Sequence, residues 1–328
     1  MKKNLLLTIL ASGLWLLASF NAHANNLAIE NVEVRDIDSS AKTAVIRFDI
    51  SWENSWRDTV NYDAVWVFAK YKDSNGVWNH VKLSGSGTDP TGYDVGDDGD
   101  TDATGNKDNI EIIVPTDKVG CFIQRSENET GTLDRDSVEI LWDYNAGGLT
   151  ATDLEDIGLK VFGIEMTYIP SGSFSVGDTE SDYGQFEEGT TDTPLEITGE
   201  GALTLGGGGA GSLGNNNATG MATADDFNDA TSKTLPANFP KGYNAFYCMK
   251  YELTQSQYRD FLNTLTLAQQ EVRTAATLDG DEKGDFVMVA EDGTLSYRQT
   301  IIAANEPASG PYTFGCDLDD DNVVNEST

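Results

Sequence analysis

The chain has 328 residues, 54 of them Asp or Glu and 21 Lys or Arg, for a formal net charge of −33. That surface repels nucleic acid and anionic membrane and favours solubility and divalent cations, with most carboxylates simply solvated. Three cysteines at wide spacings and two histidines argue against a zinc centre, and no Gly-x-Ser-x-Gly elbow is present.

Residues 1–24 read as a secretory signal. Lys2 and Lys3 start it, residues 5–20 form its apolar core, and Ala22-His23-Ala24 offers a small-residue cut before Asn25. The apolar run is shorter than the about 20 residues a membrane helix needs, and no later stretch is longer, so no transmembrane segment is expected. Neither a twin arginine nor a cysteine near the cut points to another route. Export to the periplasm, cell surface or extracellular space follows. It permits disulfides, but Cys121, Cys248 and Cys316 are an odd set, leaving one unpaired or paired outside the chain.

Residues 25–163 read as an antiparallel β-sandwich without helices. Ile46, Phe48, Ile50 and Trp52 alternate with Val45, Arg47, Asp49 and Ser51, the period of a half-buried strand. Residues 62–71 are more continuously apolar, as a central strand would be. Asp73-Ser74-Asn75-Gly76 suits a hairpin turn into a strand over 77–83, which carries His80 as a structural or solvent-facing residue. Further strands are expected over 110–114, 138–142 and 159–164. Trp52, Trp56, Trp66 and Trp78 serve either a core or a carbohydrate groove, core packing being the commoner use. The acidic loop 88–109 offers oxygen ligands for calcium but matches no ligand-loop spacing, so a solvated loop is preferred.

Residues 180–238 read as a Gly/Asn-rich insert forming a flexible surface loop. Within it Gly209-Ala210-Gly211-Ser212-Leu213-Gly214 matches Gly-x-Gly-x-x-Gly, yet Asn215-Asn216-Asn217 follows where a helix should run, so nucleotide binding is rejected.

The stretch 244–265 then organises the C-terminal part. Residues 245–251 suit a buried strand, with Cys248 a small core residue. Thr254 is a natural N-cap, Gln257 completes a capping box, and Leu253 with Tyr258 fits a hydrophobic staple. Tyr258, Phe261, Leu262 and Leu265 recur at helical spacing, with Arg259, Asp260 and Asn263 on the wet side. Thr266 and Gln269 can cap a second helix to about residue 276, and strands suit 286–289 and 294–298. In the acidic segment 317–328, Asp317, Asp319 and Asp321 with the Val323 carbonyl fall where a calcium loop places its ligands. Asn322 replaces the usual glycine and Thr328 the closing Glu, so a solvated acidic turn and a weak calcium site are equal readings.

Two phrases carry a family resemblance. Glu165-Met166-Thr167-Tyr168-Ile169-Pro170-Ser171-Gly172-Ser173-Phe174-Ser175-Val176-Gly177 is the first. The second is Phe246-Tyr247-Cys248-Met249-Lys250-Tyr251-Glu252-Leu253-Thr254-Gln255-Ser256-Gln257-Tyr258-Arg259-Asp260-Phe261-Leu262. Together they resemble the opening of the formylglycine-generating enzyme, or sulfatase-modifying factor, family. The resemblance implies that residues 164–328 are the N-terminal portion of an α+β domain of C-type-lectin-like fold. It also implies copper held by a late cysteine pair, which none of Cys121, Cys248 or Cys316 matches, so no catalytic residue is assigned. Residues 50–68 are similar to a sandwich module of bacterial surface proteins. The expectation is an exported, surface-associated protein with a binding or structural role and a protein or glycan ligand. The alternative is an oxidase of that family whose copper cysteines lie beyond residue 328.

Overall fold

The computed structural model describes residues 25–97, 109–177, 186–191, 193–215, 232–275, 278, 283–288, 300–307, 310–317 and 324. Strands dominate it. The first are β1 (Ala28–Asp38), β2 (Thr43–Arg57), β3 (Tyr62–Lys72), β4 (Trp78–His80), β5 (Gly87–Thr88), β6 (Ile110–Val114), β7 (Cys121–Arg125), β8 (Glu129–Asp143) and β9 (Gly158–Ile169). All their pairings are antiparallel. β2 lies between β1 and β8; β3 lies between β9 and β7, with β6 and β5 beyond β7 and β4 along the end of β3. The two groups meet where β2 turns into β3, at the pair Arg57 and Tyr62.

The expected alternation in β2 is present. Ala44, Ile46, Phe48, Ile50 and Trp52 are buried while Val45, Arg47, Asp49 and Ser51 are half-buried. The inward set joins Val65, Val67, Ile112, Ile123, Ile140 and Trp142 in one core fed by both groups. Each large apolar side chain buried there contributes about 1.5–3 kcal/mol. The long pairing of β2 with β8 keeps its faces through register shifts between Phe48 and Ile50 and between Trp52 and Ser55. At the first, Ser137 takes a left-handed φ of 62° and donates its N–H to the Asp49 carboxylate at 2.7 Å.

Several expectations differ from the structure. The boundary placed between residues 163 and 164 falls inside β9, which pairs with β3 without a break from Gly158 opposite Lys72 to Tyr168 opposite Tyr62. Apolar residues at 162, 164, 166 and 168 carry the strand across that point, so no linker forms there. The Gly/Asn-rich insert also departs from a plain loop. β10 (Phe174–Val176), β11 (Phe186–Glu188), β12 (Leu195–Ile197), β13 (Leu203–Gly206), β14 (Ser212–Asn215) and β15 (Ser232–Leu235) run through this part of the chain. β10 pairs with β12, and a four-stranded sheet has the order β11-β14-β13-β15. Glycine makes that sheet feasible. Gly206 at the end of β13 and Gly207, Gly208 and Gly211 in the short connection that brings β14 back parallel to β13 have φ between 62° and 79°. A Cβ on Gly214 would lie 2.2 Å from the Gly189 carbonyl oxygen. The Gly-x-Gly-x-x-Gly match belongs to this connection and to β14.

β16 (Phe246–Met249) returns to the main sheet, antiparallel to the end of β9. After it come α1 (Gln255–Leu262), α2 (Leu267–Gln270), β17 (Ile301–Ala303) and β18 (Phe314–Cys316). The capping box on α1 forms as expected: Gln257 N–H donates to Thr254 Oγ1 at 3.2 Å and Thr254 N–H to Gln257 Oε1 at 3.0 Å. Leu262 is fully buried in a second core with Val287, Ile301, Phe314 and Cys316, against which Tyr258 and Leu265 pack. Asn263 is not on the wet side. Its amide brackets the main chain of Phe314, accepting from its N–H at 2.8 Å and donating to its carbonyl at 3.0 Å. Buried Gln270 does the same for Tyr312, at 2.9 Å in both directions. α2 stops at Gln270, short of residue 276. Phe286 makes a single bridge to Ile302 in place of a longer strand, and residues 289 and 294–298 lie outside the described residues.

Candidate functional site

Of the four residues expected to hold calcium, Asp317, Asp319, Asp321 and Val323, only Asp317 is described. It directly follows β18, is 2% exposed, and donates its N–H to the Thr300 carbonyl at 2.7 Å. Asp319, Asp321 and Val323 lie outside the described residues. Among the described residues no group of three or more His, Cys, Asp or Glu is arranged to hold a metal ion. In the acidic loop 88–109, Asp89 accepts from the Ile112 N–H and Asp94 from the Gly96 N–H, while residues 98–108 lie outside the description. Three of the four tryptophans named above have separate settings. Trp52 is in the core, Trp66 tilts against Phe122, and Trp78 lies beneath Lys72 and Lys160.

All three cysteines are free thiols. Cys121 is sealed in the first core, and burial pushes its thiol up to about 12. Cys316 is buried in the second core. Cys248 is exposed, contrary to the core position expected of it. The reason is its strand: β16 is short and at the sheet margin, and it leaves Phe246 44% and Met249 39% exposed.

The described residues concentrate chemistry where β3, β9 and β16 run together. On the inward face, Lys250 Nζ lies 2.9 Å from Asp63 Oδ2 and 3.8 Å from Glu165 Oε2. Asp63, 1% exposed, also accepts from Trp52 Nε1, Ser55 Oγ and the Trp56 N–H. Asn25 Nδ2 donates to Glu165 at 2.7 Å, yet burial dominates and raises the Glu165 pKa. On the opposite face Tyr62 stacks on Tyr168 with centroids 4.7 Å apart, and Tyr247 reaches across to stack on Phe122 at 4.0 Å. The Tyr247 hydroxyl donates to Gln124 at 3.1 Å, and burial raises its pKa. None of this polar cluster was foreseen, because its members are scattered from Asn25 to Lys250 and only the pairing of β3 with β9 unites them.

Beside this junction is a cleft of about 570 Å³. β16 separates from β9 after Lys250 donates its N–H to the Glu165 carbonyl, so the edge of β9 from residue 164 back to 161 faces the cleft. Leu27 and Ile29 of β1 form one wall; Leu253, Tyr258, Phe261 and Thr264 form the other. Leu253 and Phe261 are 49% and 41% exposed, although the apolar stripe of α1 predicts a buried Phe261. Gly163 permits the close approach of β1: a Cβ there would lie 2.9 Å from Ile29 Cδ1 and 3.1 Å from Leu27 Cδ2. Lys70 enters the cleft half-buried, its Nζ donating to Thr264 Oγ1 at 3.2 Å, and burial lowers its pKa.

No family model, curated protein or solved structure matches the chain. No described helix is long and apolar enough to cross a membrane.

Proposed function

We propose that this is an exported, surface-associated binding protein whose protein or glycan ligand occupies the cleft between β9 and α1. In this reading an antiparallel β-sandwich precedes the opening part of a C-type-lectin-like α+β domain. The sandwich is supported by two strand groups that share one core and whose named strands pair with each other only at Arg57 and Tyr62. The family reading is supported by the pairing of its two phrases with each other, Met166 opposite Met249 and Ile169 opposite Phe246. The observation that carries the binding role is the apolar cleft itself, with Leu253 and Phe261 left exposed along it.

A copper-dependent cysteine oxidase is the competing reading. It needs a pair of accessible thiolates, and burial of Cys121 and Cys316 leaves Cys248 as the one thiol at the surface. The described cysteines therefore give that reading no support. The test screens the wild type and Phe261→Asp against the same panels of immobilised glycans and extended peptides. A ligand held by the wild type and lost by the variant supports the cleft. Ligands bound equally by both overturn it, and aldehyde formed from a cysteine peptide with copper and oxygen would favour the oxidase.

A further inference from the structure

The edge of β9 is half used. β16 pairs with it at Met166–Ile169, and among the described residues no strand pairs with it from 158 to 165 on that side. Two bonds fix which peptide groups face outward there. Ala69, opposite Val161, sends its carbonyl to the Val81 N–H, away from β9. Glu165 sends its carbonyl to the Lys250 N–H, away from β3. In an antiparallel ladder such alternation turns the N–H and C=O of Val161 and Gly163 to the open edge as well. An edge of this kind is a template for another strand.

The charge beside that edge is opposite to that of the chain. Lys70 and Lys160 stand in register across β3 and β9, with Lys72 in the next row. Lys72 and Lys160 lie over the Trp78 ring, at 5.8 and 5.3 Å from its centroid. Among the described residues no carboxylate is within ion-pair distance of Lys70, Lys72 or Lys160, whereas Asp260, the acidic residue of the cleft, is engaged by Arg259 at 2.8 Å. Three lysines gathered on two neighbouring strands of a chain with net charge −33 form a local cationic patch, bordered beyond Lys72 by Asp73, Asp153, Glu155 and Asp156.

We propose that the open edge of β9 accepts an extended, acidic segment of a partner protein as an added strand, its main chain pairing with Val161 and Gly163. Its apolar side chains enter between Leu27, Ile29 and Phe261, and its carboxylates meet Lys70 and Lys160. The outward groups from residue 159 to 163 suit a segment of about five residues. The inference rests on the binding reading above and narrows it to one partner chemistry and one mode.

The probe is a fluorescein-labelled octapeptide of alternating valine and glutamate, titrated by anisotropy against the full chain at low and high salt. Binding is expected to weaken with salt and to fall by about tenfold in Lys160→Glu, an exposed position that leaves both cores untouched. A peptide N-methylated at alternate residues should not bind when methylation falls on the register facing β9. Competition by self-association of the protein would name a second copy as the donor of the strand and support the mode. Equal binding of the N-methylated or the valine–lysine peptide overturns strand addition. If Phe261→Asp nevertheless abolishes that binding, the cleft reading survives without it. No binding of any peptide at about 1 mM, or displacement by an acidic polysaccharide with no effect of N-methylation, also overturns the proposal.

Discussion

Lys250 Nζ lies 2.9 Å from Asp63 Oδ2, joining the strand-to-helix segment at β16 to the β3 strand of the first core. Lys250 is 15% and Asp63 1% exposed, so removing the cation leaves a carboxylate stranded in a dry site with Glu165 beside it. Lys250→Met is expected to destabilise the protein by about 3–5 kcal/mol, seen as a fall in the urea midpoint. Adding Asp63→Asn should recover part of that loss, because the coupling between the two is then already gone. A loss below about 1 kcal/mol would show that the other three donors to Asp63 suffice without the lysine.

Thiol titration gives a second check. In the native protein a disulfide reagent should react rapidly with one thiol, Cys248, because Cys121 and Cys316 are buried and burial pushes the Cys121 thiol up to about 12. All three should react in denaturant. Rapid native labelling of Cys121 would contradict the first core as described.

Much of this architecture is legible in the residues. The period of two from Ile46 to Trp52 fixes which face of β2 is inside, and Thr254 with Gln257 fixes where α1 begins, because both are local patterns. What a local pattern cannot carry is the neighbour. Residues 245–251 are as apolar as a core strand, yet their burial depends on what lies beyond β16, and at Phe246 and Met249 little does. Phe261 fits the apolar stripe of α1 but faces the cleft, because the second core is filled from the Leu262 side. The boundary at residue 163 follows from a family phrase, whereas the backbone pairing of β3 ignores it. The glycines of the insert read as flexibility, although several serve close approach and left-handed turns within a sheet.

The start of α1 can be tested directly. Thr254→Ala removes the acceptor for the Gln257 N–H and should cost about 1 kcal/mol. Gln257→Ala removes the reciprocal bond to the Thr254 N–H, and the double variant should cost less than the sum, since the two bonds order one turn together. Strict additivity in denaturant melts would indicate that the two caps act independently.

The last expectation concerns acid and the approach to β16. Glu200 accepts main-chain N–H groups from Lys241 at 2.6 Å, Tyr243 at 2.9 Å and Asn244 at 3.0 Å. These donors, Asn244 first and Lys241 next, hold its pKa below the ordinary 4.5 against the opposing effect of burial. The unfolded chain lacks them. A carboxyl whose folded pKa is depressed adds stability above its unfolded pKa, and that share is lost as pH falls from about 4.5 through the folded value. Residues 241–244 lead straight into β16, so their loosening should be local before it is global. Hydrogen-exchange protection of the Tyr243 and Asn244 amides, corrected for intrinsic rates, is expected to drop below about pH 4.5 in the wild type. Glu200→Gln should show reduced protection already at neutral pH and no acid step. Identical protection profiles for the two proteins would mean that the Glu200 charge does not order this segment.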